Sequence, residues 1–241
     1  LRTTAGDFVT SFHVSDNDHF FICEPDAVDH PDLLMVYTGL ACDDDYVYVT
    51  VEGEEDEGIK VFSRDSGELV RTARMPVGAL ACDGDRLYIL ANDQIMVYRT
   101  RDDKLMLSSD AQPGRKDIAV DEEYIYVTND RKSEDVPCHA ICVYSKTTLE
   151  LVRSFGRCGN RDGGDVFVSA RGIAVYGQFL YVCDDSQVRI LWKVDGTLVR
   201  TACAQVPEDD TAPQMERVAV SQNNVYVSAA SLFRSSIIQF T

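Results

Sequence analysis

An all-β ring of six four-stranded blades is the fold this sequence predicts, and three observations carry the prediction. A short strand built on an aromatic residue returns about every 40 residues. A strand of small apolar residues precedes each return. The two ends of the chain carry segments that complete one another. A repeat of this length, made of short β-rich stretches between Gly and Asp turns, is the signature of a β-propeller.

The aromatic strands come first. They read His-Phe-Phe-Ile at 19–22, Tyr-Val-Tyr-Val at 46–49 and Arg-Leu-Tyr-Ile at 86–89. They return as Tyr-Ile-Tyr-Val at 124–127, Phe-Leu-Tyr-Val at 179–182 and Asn-Val-Tyr-Val at 224–227. Phe21, Tyr48, Tyr88, Tyr126, Tyr181 and Tyr226 mark six units within a single domain spanning 1–241. Ahead of the markers lie Gly-Leu-Ala-Cys at 39–42, Ala-Leu-Ala-Cys at 79–82, Asp-Ile-Ala-Val at 117–120, Gly-Ile-Ala-Val at 172–175 and Arg-Val-Ala-Val at 217–220. Their small residues suit innermost strands crowded around an axis. Third strands follow at 59–62, 95–98, 141–144, 188–192 and 237–240, and outer strands at 68–73, 104–108, 150–155 and 197–202.

The last unit stops at Thr241 without an outer strand, while Leu-Arg-Thr-Thr-Ala at 1–5 resembles the outer-strand sequence Leu-Val-Arg-Thr-Ala at 69–73 and 198–202. The N-terminal segment is therefore expected to complete the last blade, closing the ring and removing an open sheet edge. The first unit is irregular. Its third strand, 33–37, runs almost directly into 39–42, leaving no length for an outer strand: either the blade is truncated or, the favoured reading, a segment between Tyr37 and Gly39 is absent.

One unit carries a more specific signature. Residues 155–196 contain Phe155-Gly156, Gly159, Gly163-Gly164, Phe167, Arg171-Gly-Ile-Ala-Val175, Tyr181-Val-Cys-Asp184, Arg189-Ile190 and Asp195-Gly196. This pattern resembles the NHL repeat. The resemblance implies a six-bladed propeller, often one module of a larger protein such as the tripartite-motif ubiquitin ligases. It implies binding of proteins or of single-stranded RNA, with a separate zinc-dependent amidating-lyase branch. The other units share only the apolar skeleton and lack the Asp…Arg pair. Asp184 and Arg189 are expected to form a salt bridge within the blade, pinning the turn between its second and third strands.

Composition narrows the function. The chain has 241 residues, 45% of them hydrophobic, and a net charge of −17, which excludes a disordered tail and disfavours wholesale binding to nucleic acid or anionic lipid. No apolar run is long enough to span a membrane. The chain opens at Leu1 without a methionine or an apolar signal core, and reads as an excerpt or a processed product. Of eight cysteines, Cys42, Cys82, Cys142 and Cys183 sit in strand-like runs and read as small buried hydrophobes, consistent with a reduced, intracellular and cytoplasmic protein.

No catalytic set is legible and no cofactor is called for. The histidines His13, His19, His30 and His139 do not fall where several would converge on an axial metal. Cys138, His139, Cys142 and Cys158 form the one metal-like cluster, without paired-cysteine spacing. The acidic runs 43–45, 54–57, 121–123 and 208–210 lack a calcium-loop pattern and read as solvated turns. A cation assembled from scattered carboxylates around a channel would make a lyase or hydrolase, the third reading.

Charge asymmetry carries the first two. The acidic turns between first and second strands emerge on one face. The segments entering the innermost strands emerge on the other, with Arg115, Lys116, Arg171 and Arg217 on three successive blades. Such an arc reads as a dock for an anionic partner or peptide, or as local pairing with Asp117 and Glu216. The loops holding Arg131, Lys132, Phe233 and Arg234 would join that face, where Phe233 beside Arg234 either serves as a binding anchor or tucks into the blade edge. The expected function is a protein-interaction scaffold within a larger protein, possible substrate recognition for a ubiquitin ligase included. Single-stranded RNA binding is the alternative, which wants a broader positive groove with stacking aromatics.

Overall fold

A computed structural model describes residues 12–14, 20–22, 39–52, 57–130, 139–159, 165–203, 214–221, 224–230 and 235–240, of which 12–14, 20–22, 229–230 and 235–240 are described by backbone alone. The chain divides into two compact units, Leu1–Gly78 and Ala79–Thr241. Among the described residues no helix is long and apolar enough to cross a membrane.

In the first unit, β1 (Phe12–Val14) pairs antiparallel with β2 (Phe20–Ile22). Strands β3 (Leu40–Cys42), β4 (Tyr46–Val51), β5 (Gly58–Ser63) and β6 (Leu69–Ala73) form a four-stranded antiparallel meander, sheet A. Val47, Val49 and Phe62 pack together on it, with Leu69 against them.

The second unit holds four successive sheets. Sheet B runs β7 (Ala79–Asp83), β8 (Arg86–Ala91), β9 (Gln94–Arg99), β10 (Lys104–Ser108). Sheet C runs β11 (Arg115–Val120), β12 (Tyr124–Asn129), β13 (Ile141–Ser145), β14 (Leu151–Phe155). A connector follows in which β15 (Arg157–Cys158) pairs parallel with β16 (Val166–Phe167). Sheet D runs β17 (Ala170–Tyr176), β18 (Phe179–Asp184), β19 (Gln187–Trp192), β20 (Leu198–Cys203). Among the described residues sheet E has three strands, β21 (Gln214–Val220), β22 (Val225–Ala230) and β23 (Ser235–Phe240).

Sheets C and D bury both faces of their middle strands against neighbours, which is why those strands read as nearly unbroken apolar runs. Ala79, Ala81, Tyr88 and Leu90 of sheet B meet Ile118, Ile125, Val127 and Tyr144 of sheet C. The opposite face of sheet C, through Tyr126, Ile141 and Val143, meets Phe167, Ile173, Leu180, Val182 and Leu191. Cys183 and Val188 of sheet D meet Met215 and Val227 of sheet E. Each such large side chain contributes roughly 1.5–3 kcal/mol by leaving water. The marker tyrosines Tyr48, Tyr88 and Tyr126 are wholly buried.

The expected strands 104–108 and 141–144 fall on β10 and β13, and the other expected strands of the described sheets have ends within three residues of those observed. Strands β11, β17 and β21 begin two to three residues earlier than expected, because each contains a β-bulge. Register shifts occur between Arg115 and Ile118, between Ala170 and Ile173, and between Met215 and Arg217. The segments 1–5 and 33–37, on which ring closure and the first blade's third strand rest, lie outside the described residues.

Candidate interaction surfaces

The bulges decide what the basic residues do. Aligning the shifts places Arg115, Ala170 and Met215 at one position, Lys116, Arg171 and Glu216 at the next, and Asp117, Gly172 and Arg217 at the third. Arg115, Arg171 and Arg217 therefore occupy three different positions of the repeat. An added residue re-aims the side chains around it, so they do not point alike.

Arg115 is buried at 8% exposure. Its Nη1 donates to the Asp93 carbonyl at 2.9 Å and Ser109 Oγ at 3.1 Å, its Nη2 to Tyr144 Oη at 2.9 Å. The guanidinium ties sheet B to sheet C and is not offered to a partner, a correction to its place in the basic arc. Arg171 Nη1 donates to both carboxylate oxygens of Glu216 of sheet E, at 2.6 and 2.8 Å. Arg217 donates to Asp117 of sheet C, two sheets away. Asp117 also accepts from the Ile173 amide at 3.0 Å, so one carboxylate joins sheets C, D and E. Burial pushes the Asp117 carboxyl up, against the pull of Arg217 and two amides. Local pairing with Asp117 and Glu216 is thus what the two arginines make. Lys116 is exposed. Arg131, Lys132, Phe233 and Arg234 lie outside the described residues, as do Cys138, His19 and His30, and the side chain of His13.

At the other end of the strands the acidic turns are built, not merely solvated. Asp43 Oδ1 accepts from the amides of Asp45 and Tyr46 at 2.9 and 2.7 Å, and Oδ2 from Tyr48 Oη at 2.7 Å. Asp121 repeats the pattern with the amides of Glu123 and Tyr124 and with Tyr126 Oη, each at 2.9 Å. The first acid of each of these turns closes an Asx turn and clamps the marker tyrosine. Glu122 and Glu123 remain exposed.

Two lysines then lock neighbouring sheets. Lys146 of sheet C reaches Asp83 of sheet B and the Asp121 carbonyl, the latter at 2.6 Å. Lys193 of sheet D reaches Asp121 Oδ2 at 2.9 Å. Burial works to raise the Asp121 carboxyl, but Lys193, the two amides and Tyr126 outweigh it and hold it below its ordinary 3.8. A depressed folded-state pKa gives stability that is complete above the unfolded value and is lost as pH falls through the folded one. The urea midpoint should fall below about pH 4, and Asp121→Asn, weaker than wild type at pH 7, should converge with it toward pH 2. Parallel titration curves of the two proteins would refute the lock.

Asp184 and Arg189 form the expected pair at 3.4 Å, both buried. Asp184 also accepts from the amides of Val168 and Ser169 at 2.8 Å, and Arg189 stacks over Phe167 at 4.3 Å. The pair fastens the β15–β16 connector as well as the turn.

The cysteines divide. Cys142 and Cys183 are buried free thiols whose ionisation burial pushes up, as hydrophobes behave. Cys42 is free but exposed and Cys82 half-buried, against the expectation for both. Cys158 is disulfide-bonded, so the reduced state expected for the chain does not extend to it, nor is it a thiolate ligand. Among the described residues no group of three or more His, Cys, Asp or Glu is placed to hold a metal.

Sequence reasoning missed an aromatic row. Tyr176 pairs with Phe179, and Phe179 with Trp192, across β17, β18 and β19. Directly paired residues share one sheet face. The Phe179 and Trp192 rings lie 4.6 Å apart, and Tyr176 and Trp192 are 42% and 41% exposed. Val194, in the adjoining turn, is 67% exposed. The signal was present: where sheets A, B and C carry Asp43, Asp83 and Asp121 at this turn, sheet D carries Tyr176-Gly-Gln-Phe179.

A model of the LVIVD repeat family matches residues 169–189, which run from the connector through β18 into β19. No curated protein matches the chain. Among solved structures, a chain of the nidogen–laminin complex is similar at 17% identity and a TM-score of 0.59, over 86% of this chain and 80% of that one. The glutaminyl cyclase of Myxococcus xanthus is similar at 13% identity and 0.55, over 84% and 90%. BamB of Moraxella catarrhalis is similar at 17% identity and 0.50; 85% of this chain is covered, spanning 59% of BamB's length. A computationally designed protein, Ika8, is likewise spanned over 57% of its length. At these identities the likeness concerns fold alone. With the repeat match and the stacked four-stranded sheets, it establishes a repeat β-propeller.

Proposed function

We propose that this propeller is a protein-interaction module, an NHL-like ring of six blades closed by the N-terminal segment and forming one domain of a larger protein. The observation that carries the reading is the internal pairing of the inner-strand charges. Arg171 with Glu216, Arg217 with Asp117, and Arg115 with acceptors on Asp93, Ser109, Asp110 and Tyr144 stiffen the sheets against one another. A framework stiffened this way presents turns and loops in fixed positions, as binding surfaces require. The NHL-like signature at 155–196 supports the six-blade count, and the nidogen–laminin assembly is a precedent for a similar fold in a protein complex.

The RNA alternative loses ground on the same observation. Arginines bound to carboxylates offer phosphates little net attraction, and Arg115 is inside. A propeller can also be an enzyme, as the glutaminyl cyclase among the similar structures illustrates. Affinity purification of the chain with and without RNase separates these readings. The expected result is a protein partner retained after RNase treatment and kept by Lys116→Glu. Partners that all vanish with RNase would overturn the proposal in favour of RNA. A purified chain with stoichiometric metal and turnover on amide or ester substrates, and no partner, would overturn it in favour of catalysis.

A further inference from the structure

The aromatic row of sheet D stands in an acidic surround. Lys193, in the turn after Trp192, donates to Asp121, and its amide donates to the Gln178 carbonyl at 3.0 Å. Those two bonds set the row beside the acidic turn of sheet C, whose Glu122 and Glu123 are exposed. Asp195, three residues beyond Trp192, is exposed as well. Lys146 and Lys193 at this end are engaged with Asp83 and Asp121, and Arg153 donates to the Lys193 carbonyl at 3.4 Å and lies over the Tyr124 ring, so Glu122, Glu123 and Asp195 outnumber this one guanidinium. Tyr176, Phe179, Trp192 and Val194 thus form an apolar strip edged with negative charge.

We propose that this strip is a docking site for a basic peptide segment, one in which an apolar or aromatic anchor is flanked by Lys or Arg. The anchor would lie along the Phe179–Trp192 pair and leave water. The flanking cations would face Glu122, Glu123 and Asp195, and a guanidinium or ammonium over the Trp192 face gains a cation–π contact. An acidic peptide meets like charge at the same place, which is the source of discrimination. The site deepens the protein-interaction reading and rests on it.

Trp192 is the single tryptophan of the chain, so its fluorescence reports the site directly. The probe is an amidated dodecapeptide alternating Lys and Leu about a central Phe, with a fluorescein-labelled copy for anisotropy. The expected result is a saturable blue shift of Trp192 emission, weakened at least tenfold by the Glu122→Lys, Glu123→Lys double variant and by Val194→Asp, whose side chains are exposed. Raising salt to 0.5 M should weaken binding comparably. Unchanged emission at saturating peptide, or equal binding of the Glu-for-Lys peptide, would overturn the proposal. So would a blue shift with phosphatidylcholine vesicles at least as strong as that with the peptide, or one that follows protein concentration alone and marks a second copy as the occupant. Far-ultraviolet circular dichroism confirms that each variant is folded. A strip blind to the peptide in a chain that still captures an RNase-resistant partner would overturn this site and leave the broader reading standing.

Discussion

Asp184→Ala is expected to destabilise the chain by about 3–5 kcal/mol, the cost of removing one member of a buried ion pair. Three groups depend on that carboxylate: the Arg189 guanidinium at 3.4 Å and the Val168 and Ser169 amides at 2.8 Å. At 1% exposure, water does not replace the lost acceptor. For a protein of this size the loss corresponds to a melting temperature lower by roughly 10 °C. Asp184→Asn keeps one carbonyl acceptor and should fall between wild type and Ala. The exposed pair Arg157–Asp165 is the control: its geometry is good, at 2.9 Å, yet both side chains stand mostly in water. Asp165→Ala should leave the melt unchanged. A thermal melt of Asp184→Ala that overlays the Asp165→Ala curve would refute the account.

What the sequence disclosed, and what it withheld, divides along a physical line. Strand positions were legible because the marker tyrosines and their β-branched neighbours must be apolar wherever both sheet faces are covered, as at Tyr88 and Tyr126. The Asp184–Arg189 pair was legible because its members lie five residues apart across one turn. The fate of Arg115, Arg171 and Arg217 was not, because it depends on a bulge, and one added residue reverses side-chain direction without changing composition or spacing. Asp117 was weighed only as a possible neutraliser, whereas its reach across two sheets makes it a keystone. The aromatic row escaped for another reason. Tyr176, Phe179 and Trp192 come from three strands and become neighbours only through pairing register, which a marker-by-marker alignment does not follow.

Gly172 offers the other large effect, and the argument is one of space. It sits at the third bulge position of β17, where sheet C has Asp117 and sheet E has Arg217. A Cβ there would stand 2.6 Å from the Glu216 carbonyl oxygen, 2.7 Å from Arg217 Cα and 3.0 Å from the Val218 nitrogen. All three are backbone atoms of β21, so no rotamer relieves the clash and the two inner strands must separate. Separation would pull Arg217 from Asp117 and Glu216 from Arg171, adding lost ion pairs to the steric cost. Gly172→Ala is therefore expected to cost about 2–3 kcal/mol, the upper part of the range for overpacking, and Gly172→Val more. Gly177 separates space from conformation: it has φ +58° and nothing within 4 Å of its added Cβ. Gly177→Ala bears only the left-handed backbone penalty, roughly 1 kcal/mol. Urea midpoints of the two alanine variants, measured side by side, decide the matter. If Gly177→Ala proves the more damaging, β21 does not approach β17 as closely as these distances require, and the bridge from Asp117 to Arg217 goes with it.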